Sequence, residues 1–291
     1  MFQFLIYKTA QTLALLLPVR AGYSFARFLA ILQFYFSKKD REVVLDNLKA
    51  VLKTDDKRTL RHIGKEVFVN FAKYLVDFFR FSKLDESYIR GNVKFVGKGN
   101  FDEALRRGKG VIALTAHLGN YELGGAIVAL CGYPLNAVAL DHQNKFVNNF
   151  FIRQRRIAKI NVIQMGVALK KCYECLTKGQ VLALLGDRDF SNHGIRVNFF
   201  GKDSSIPKGP AILSLRTGAS IVPAFIIRLP DDTFQFTFEK PIPYNTTDGF
   251  EDDVRRITES YVKVIEEYVR RYPSQWFMFR RFWILREDKE I

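Results

Sequence analysis

The stretch VKFVGKGNFDEALRRGKGVIALTAHLGNYELGGAIVALCGYPLNAVAL, residues 93–140, decides the fold. Three short apolar runs, VKFVG (93–97), GVIALTA (110–116) and LNAVAL (135–140), alternate with stretches of helical character, EALRRG (103–108) and ELGGAIVALCG (122–132). Runs this short and rich in Val, Ile and Leu read as strands, and the segments between them supply the chain needed for parallel crossovers. GVIAL lacks the polar alternation of a half-exposed strand, so both of its faces are expected to be covered.

Downstream the pattern continues. VLALLG (181–186), SIVPAFII (220–227) and TFQFTFE (233–239) read as strands, separated by the helical stretches KFVNNFFIRQRRIAK (145–159), GVALKKCYECLTKG (166–179) and GPAILSLRTG (209–218). A last amphipathic helix, EDDVRRITESYVKVIEEYVRRY (251–272), ends before Pro273. Upstream, residues 40–90 are helical: KEVFVNFAKYLVDFF places apolar residues at 67/68, 71, 74/75 and 78/79, the spacing of one helix face. The expectation is an α/β fold, a mostly parallel central sheet flanked by helices on both faces.

The first 36 residues stand apart. FQFLIYKTAQTLALLLPV and AGYSFARFLAILQFYF are split by Pro18 and Arg20, and Lys8 and Arg27 interrupt them. Neither reaches the roughly 20 uninterrupted apolar residues of a simple membrane span, and neither has the layout of a cleaved signal peptide. They are predicted to be amphipathic helices lying in a membrane interface, with a helical hairpin packed on the body as the alternative. The expected division is residues 1–40 for membrane binding and 41–291 for a single catalytic body. The 291 residues carry 45 Lys plus Arg against 30 Asp plus Glu, a net charge of +15, which calls for a nucleic acid, an anionic membrane or an acidic ligand as partner. Three cysteines, Cys131, Cys172 and Cys175, are too few for a disulfide framework; the C-x-x-C pair falls on the inner face of a helix, fitting core packing in a reducing, cytoplasmic setting.

Ligands in such sheets sit beyond the carboxyl ends of the strands. Two chemistry-bearing clusters lie there: TAHLGNYELGG after GVIAL, and GDRDFSNHG after VLALL. His117 and Glu122 would diverge on one regular helix. With His117 at the strand tip and Glu122 in the next helix's first turn, the carboxylate is expected to reach back to the imidazole. A carboxylate on one ring nitrogen fixes the tautomer and frees the other to take a proton from a hydroxyl. The spacing alone is weak; the surrounding small residues Ala116, Gly119, Gly124 and Gly125 strengthen it by leaving room for a substrate. There is no G-x-S-x-G elbow, no phosphate-binding glycine loop and no H-E-x-x-H, which disfavours serine hydrolases, nucleotide enzymes and zincins. His117, Glu122, Asp187, Asp189 and His193 gathered on a metal would make a phosphoesterase, a minority alternative; no metal and no cofactor are expected.

His117-x4-Glu122, Asp187-Arg188-Asp189, FFGKDSSIPKGPAILSLRTGASIVPAF (199–225), the VVLDNLK segment near residue 47 and the terminal YPSQWFMFRRFW (272–283) together resemble the bacterial lipid A biosynthesis acyltransferase family, which includes lauroyl, myristoyl and phosphatidylinositol mannoside acyltransferases. The resemblance runs across nearly the whole chain. It implies a direct transfer from an acyl-carrier-protein or coenzyme-A thioester to a glycolipid hydroxyl, at the cytoplasmic face of a bacterial inner membrane. His117 would be the general base and Glu122 its orienting carboxylate. Asp187, Arg188 and Asp189, with the basic helix residues Arg153, Arg155 and Arg156, would border donor or acceptor phosphates, since the guanidinium fork suits phosphate. The turn at Lys208 and Gly209 would serve the developing oxyanion. A glycerolipid acyltransferase is a second enzymatic reading. A non-catalytic basic binding protein is the competitor from another class; no nucleic-acid partner is expected.

Overall fold

A computed structural model describes residues 2–164, 168–190, 193–243, 246–247 and 249–283. Four helices come first, α1 (Phe2–Leu16), α2 (Val19–Phe36), α3 (Lys38–Leu52) and α4 (Lys57–Phe79), followed by the short α5 (Glu86–Asn92). The α/β body then runs β1 (Val93–Val96), α6 (Lys98–Arg106), β2 (Val111–Thr115), α7 (Tyr121–Leu130), β3 (Leu135–Ala139), α8 (Lys145–Ile157), β4 (Asn161–Gln164), α9 (Ala168–Thr177) and β5 (Val181–Leu185). A hairpin of β6 (Ile195–Phe199) and β7 (Lys202–Ile206) precedes α10 (Gly209–Thr217), β8 (Ser220–Arg228), β9 (Phe234–Phe238) and α11 (Phe250–Arg271).

Among the described residues the main sheet has seven strands in the order β1-β9-β8-β2-β5-β3-β4. Every neighbouring pair is parallel except β8 with β9, so the expected mostly parallel sheet with helices on both faces is what the chain builds. The missing alternation in β2 has a direct cause. Val111 and Ala113 enter a core beneath α6, α7 and α8, while Ile112 and Leu114 enter a second core beneath α9, α10 and α11. Successive strand side chains point to opposite faces, and here both faces are dry. Val111, Ile112 and Leu114 each contribute about 1.5–3 kcal/mol of burial.

Three strands went unforeseen. Asn161–Gln164 is only four residues long with a polar residue at each end, and it pairs at the sheet edge with β3. The β6–β7 hairpin turns on Phe200 and Gly201, both at positive φ (53° and 83°), the backbone of a two-residue hairpin turn. The alternation Ile195, Val197, Phe199 against Arg196 and Asn198 was its signal. Gly166 and Val167, which would open the predicted 166–179 helix, lie outside the described residues, as do 284–291. Cys172 and Cys175 sit in the core on α9, their thiols pushed up by burial to about 12 and about 11, which makes them poor nucleophiles.

The N-terminal helices pack against the body on one side and leave apolar side chains exposed on the other. Ala14, Tyr23 and Ala26 join the first core, and Ala30 and Phe34 join a smaller cluster with α3 and α4. On the opposite side Leu16 is 77%, Phe28 58% and Phe36 83% exposed. No helix among the described residues is long and apolar enough to cross a membrane.

Candidate functional site

Strands β2 and β5 are adjacent, and their register pairs Thr115 with Leu185. Two residues beyond each strand end stand His117 and Asp187. The register therefore delivers the imidazole and the carboxylate side by side. His117 Nδ1 lies 2.7 Å from Asp187 Oδ1. The other oxygen, Oδ2, accepts the His117 backbone N–H at 3.0 Å and the Trp276 indole N–H at 3.1 Å. Asp187 is wholly buried and His117 is 8% exposed.

The turn that carries His117 is fastened from several directions. The Phe277 N–H donates to His117 O at 2.8 Å, and the Gly119 N–H donates to Gln275 O at 2.9 Å. Gly119 has φ +62°, and a Cβ there would sit 2.0 Å from Ile226 O, so only glycine fits. Asn120 then caps α7, its side-chain oxygen accepting the Leu123 N–H at 3.2 Å.

The expected contact between Glu122 and the imidazole does not form. Glu122 lies in the first turn of α7, as anticipated, but its carboxylate faces α8. There Arg155 Nε reaches both carboxylate oxygens at 3.1 Å and Nη2 adds a third bond. The side chains of this pair are 14% and 11% exposed. The physical reason is partner strength: a carboxylate this buried is best matched by a two-pronged guanidinium, and the Nδ1 position is already taken by Asp187.

The other anticipated residues divide. Arg188 is brought to the site, donating to Phe277 O, and its Nε is buried without a partner among the described residues. Asp189 instead ties the loop to the hairpin, accepting the Gly194 N–H at 2.8 Å and the Ser205 hydroxyl at 3.0 Å. Arg155 points inward to Glu122, whereas Arg153 and Arg156 on the same helix are exposed, so the basic helix does not act as one cluster. Lys208 occupies the N-cap position of α10 and Gly209 is exposed at its first residue. Rings frame the imidazole: Tyr121 at 5.4 Å and the half-exposed Phe190 at 6.4 Å between centroids, with the Arg280 guanidinium over Phe190. Sequence reasoning missed Asp187 as the imidazole's partner and Trp276 as its second donor. The signal available was that both clusters begin at equal offsets after their strands.

Burial pushes the His117 pKa down, and although the Asp187 charge pulls it up, the net position is below the ordinary 6.5. Burial works against ionised Asp187 too, but His117, their hydrogen bonds and nearby Arg188 outweigh it and hold the carboxyl at about 2. At neutral pH the pair is thus a neutral imidazole on a carboxylate, the form that accepts a proton. In an NMR pH titration the His117 imidazole is expected to protonate with a midpoint below 6.5; a midpoint above it would mean that Asp187 outweighs burial.

Chemically the pair resembles the base–carboxylate half of a proton-transfer centre. The other anticipated metal ligands do not converge. Glu122 is committed to Arg155, and no group of three or more His, Cys, Asp or Glu suited to a metal occurs among the described residues.

A family model described as bacterial lipid A biosynthesis acyltransferase matches residues 2–284. The phosphatidylinositol mannoside acyltransferase of Mycolicibacterium smegmatis is 24% identical over 219 residues, 74% of this chain and 70% of the relative. That of Mycobacterium tuberculosis strain H37Rv is 23% identical over 221 residues, covering 74% and 68%. The lipid A biosynthesis palmitoleoyltransferase of Escherichia coli K12 is 25% identical over 201 residues, covering 68% and 63%.

Proposed function

The chain belongs to the bacterial lipid A biosynthesis acyltransferase family, and on that premise we propose that it moves a fatty acyl group from an acyl-carrier-protein or coenzyme-A thioester to a glycolipid hydroxyl, with His117 as general base. The observation that carries this reading is the 2.7 Å contact of His117 Nδ1 with buried Asp187. Asp187 keeps the Nδ1 proton in place, so Nε2 takes the acceptor's hydroxyl proton as that oxygen attacks the thioester carbonyl. The C–S bond breaks, and the imidazolium returns the proton to the departing thiolate. No acyl-enzyme is needed. A lipid A precursor is the first candidate acceptor and a phosphatidylinositol mannoside the second; both relatives named for those lipids match at similar identity.

The surroundings support the assignment. Arg188, exposed Arg153 and Arg156, Lys208 and the Gly209 backbone are the groups assigned to phosphate and developing oxyanion. The direct test is in vitro transfer with acyl-carrier-protein and acyl-coenzyme-A donors and a bacterial lipid extract, read by mass spectrometry. A glycolipid heavier by one acyl group is the expected result; no transfer from either donor class by folded protein would sink the reading.

We further assign the outer side of α1 and α2 to the bilayer interface at the cytoplasmic face of the inner membrane. The exposed Phe25, Phe28 and Phe36 would enter the acyl boundary, while the net charge of +15 draws the protein to anionic headgroups. Phe25→Ser with Phe28→Ser is expected to weaken sedimentation with anionic vesicles at least about tenfold, because each buried Phe contributes about 1.5–3 kcal/mol. Unchanged sedimentation would remove this face from the interface.

A further inference from the structure

Asp77 of α4 is 4% exposed and collects donors from three other parts of the chain. Oδ1 accepts the Tyr23 hydroxyl of α2. Oδ2 accepts Asn120 Nδ2 at 2.6 Å and Arg228 Nη2 from the end of β8. Arg228 lies over the Tyr23 ring at 4.8 Å, and the Gln275 side-chain amide brackets its backbone, accepting its N–H at 3.0 Å and donating to its carbonyl at 2.9 Å. Gln275 O in turn receives the Gly119 N–H at 2.9 Å. Two branches of this network, one through Asn120 and one through Arg228 and Gln275, return to the turn of residues 117–120.

A buried ion pair of this kind contributes little net stability, because desolvation consumes most of its Coulombic gain. Its value lies in fixing one arrangement. The base needs that service, since about 1 Å of misplacement costs on the order of 10²-fold in rate.

We propose that Asp77 is a positioning residue for the acyl-transfer centre: by gripping Asn120 it sets the pose of the His117 turn, and through Tyr23 it ties that turn to the apolar-faced helix α2. The inference rests on the acyl-transfer reading above. Among the described residues the hydrogen bonds of Tyr23 and Asp77 do not reach the side chains of His117 or Asp187.

Two variants test it without removing the charge pair. Asn120→Ser retains an N-cap oxygen for α7 but is too short to reach Asp77. Tyr23→Phe deletes one hydroxyl on a distant helix. The expected result is an active wild type, with kcat down about tenfold in each single variant and KM within about twofold. Thermal midpoints would stay far above the assay temperature. The double variant would lose less than the product of the singles, because both act through one carboxylate. Unchanged kcat, or losses that multiply fully, would overturn the proposal. A wild type inactive with every donor would sink the acyl-transfer reading instead. In that event the His117 Nδ1–H resonance decides: the proposal predicts that it shifts in both variants, and an unmoved resonance overturns it.

Discussion

His117→Ala is expected to lower kcat for the proposed acyl transfer by about 10²–10⁴-fold, the usual contribution of a positioned general base, and to leave the protein folded. The backbone supports the second half of that expectation. The His117 N–H donates to Asp187 Oδ2 and its carbonyl accepts the Phe277 N–H, so the turn remains pinned when the ring is gone. Asp187 keeps the Trp276 indole N–H as well, which limits the cost of its lost imidazole. KM is expected to change little, because the proton transfer stabilises the transition state and not the bound ground state. Transfer is followed by mass spectrometry and folding by circular dichroism, with vesicle binding as a third readout. Full activity in the alanine variant would remove His117 from the chemistry. Parallel loss of vesicle binding would mean that the proposed docking face and the active site are not separable.

Much of this architecture was legible because local and global signals agree. The β2 run VIALT has no polar side to show, and the structure buries it on both faces. The position of His117 at a strand tip followed from the same run. What could not be read was lateral order. That β5 lies beside β2 depends on how crossovers pack, and only that adjacency makes Asp187 a closer partner than Glu122, although Glu122 is five positions away in sequence and Asp187 is seventy. Proximity along the chain misled for a second reason. Gly119 takes a left-handed backbone to clear Ile226 O, and the turn it makes sends the start of α7, with Glu122, toward α8. The arginines of α8 were readable as basic but not as divided, because the inward direction of Arg155 is set by its partner on α7. The network around Asp77 joins residues 23, 77, 120, 228 and 275, and no sequence periodicity connects positions so far apart.

The two carboxylates make opposite predictions, and that contrast is the sharpest test of the site. Asp187→Asn preserves volume in a fully buried position but replaces a charged acceptor by an amide. The Asn oxygen can replace Oδ2 and keep the His117 N–H and Trp276 donors, or replace Oδ1 and keep the imidazole, and in either case the NH2 group must face what remains. If the NH2 faces the imidazole, the ring holds its proton on Nε2, the wrong nitrogen for a base. If the oxygen faces it, the tautomer survives but the charge that stabilises the forming imidazolium is gone. Either way kcat is expected to fall by about 10²–10⁴-fold with a small change in KM. Glu122→Gln acts elsewhere. It leaves the imidazole's partner untouched and weakens the two-pronged contact with Arg155, whose side chain is only 14% exposed. Its cost should appear as stability, on the order of 3 kcal/mol for a buried charge left without its counter-ion, and as looser packing of α8 on α7. Its kcat, measured well below the melting transition, should stay within about tenfold of wild type, since a displaced α8 perturbs substrate contacts and not proton transfer. The converse outcome, a dead Glu122→Gln beside an active Asp187→Asn, would return the orienting role to Glu122. That would require the Glu122–Arg155 pair to open when substrate binds, with Arg155 passing to a substrate phosphate and Glu122 to the imidazole.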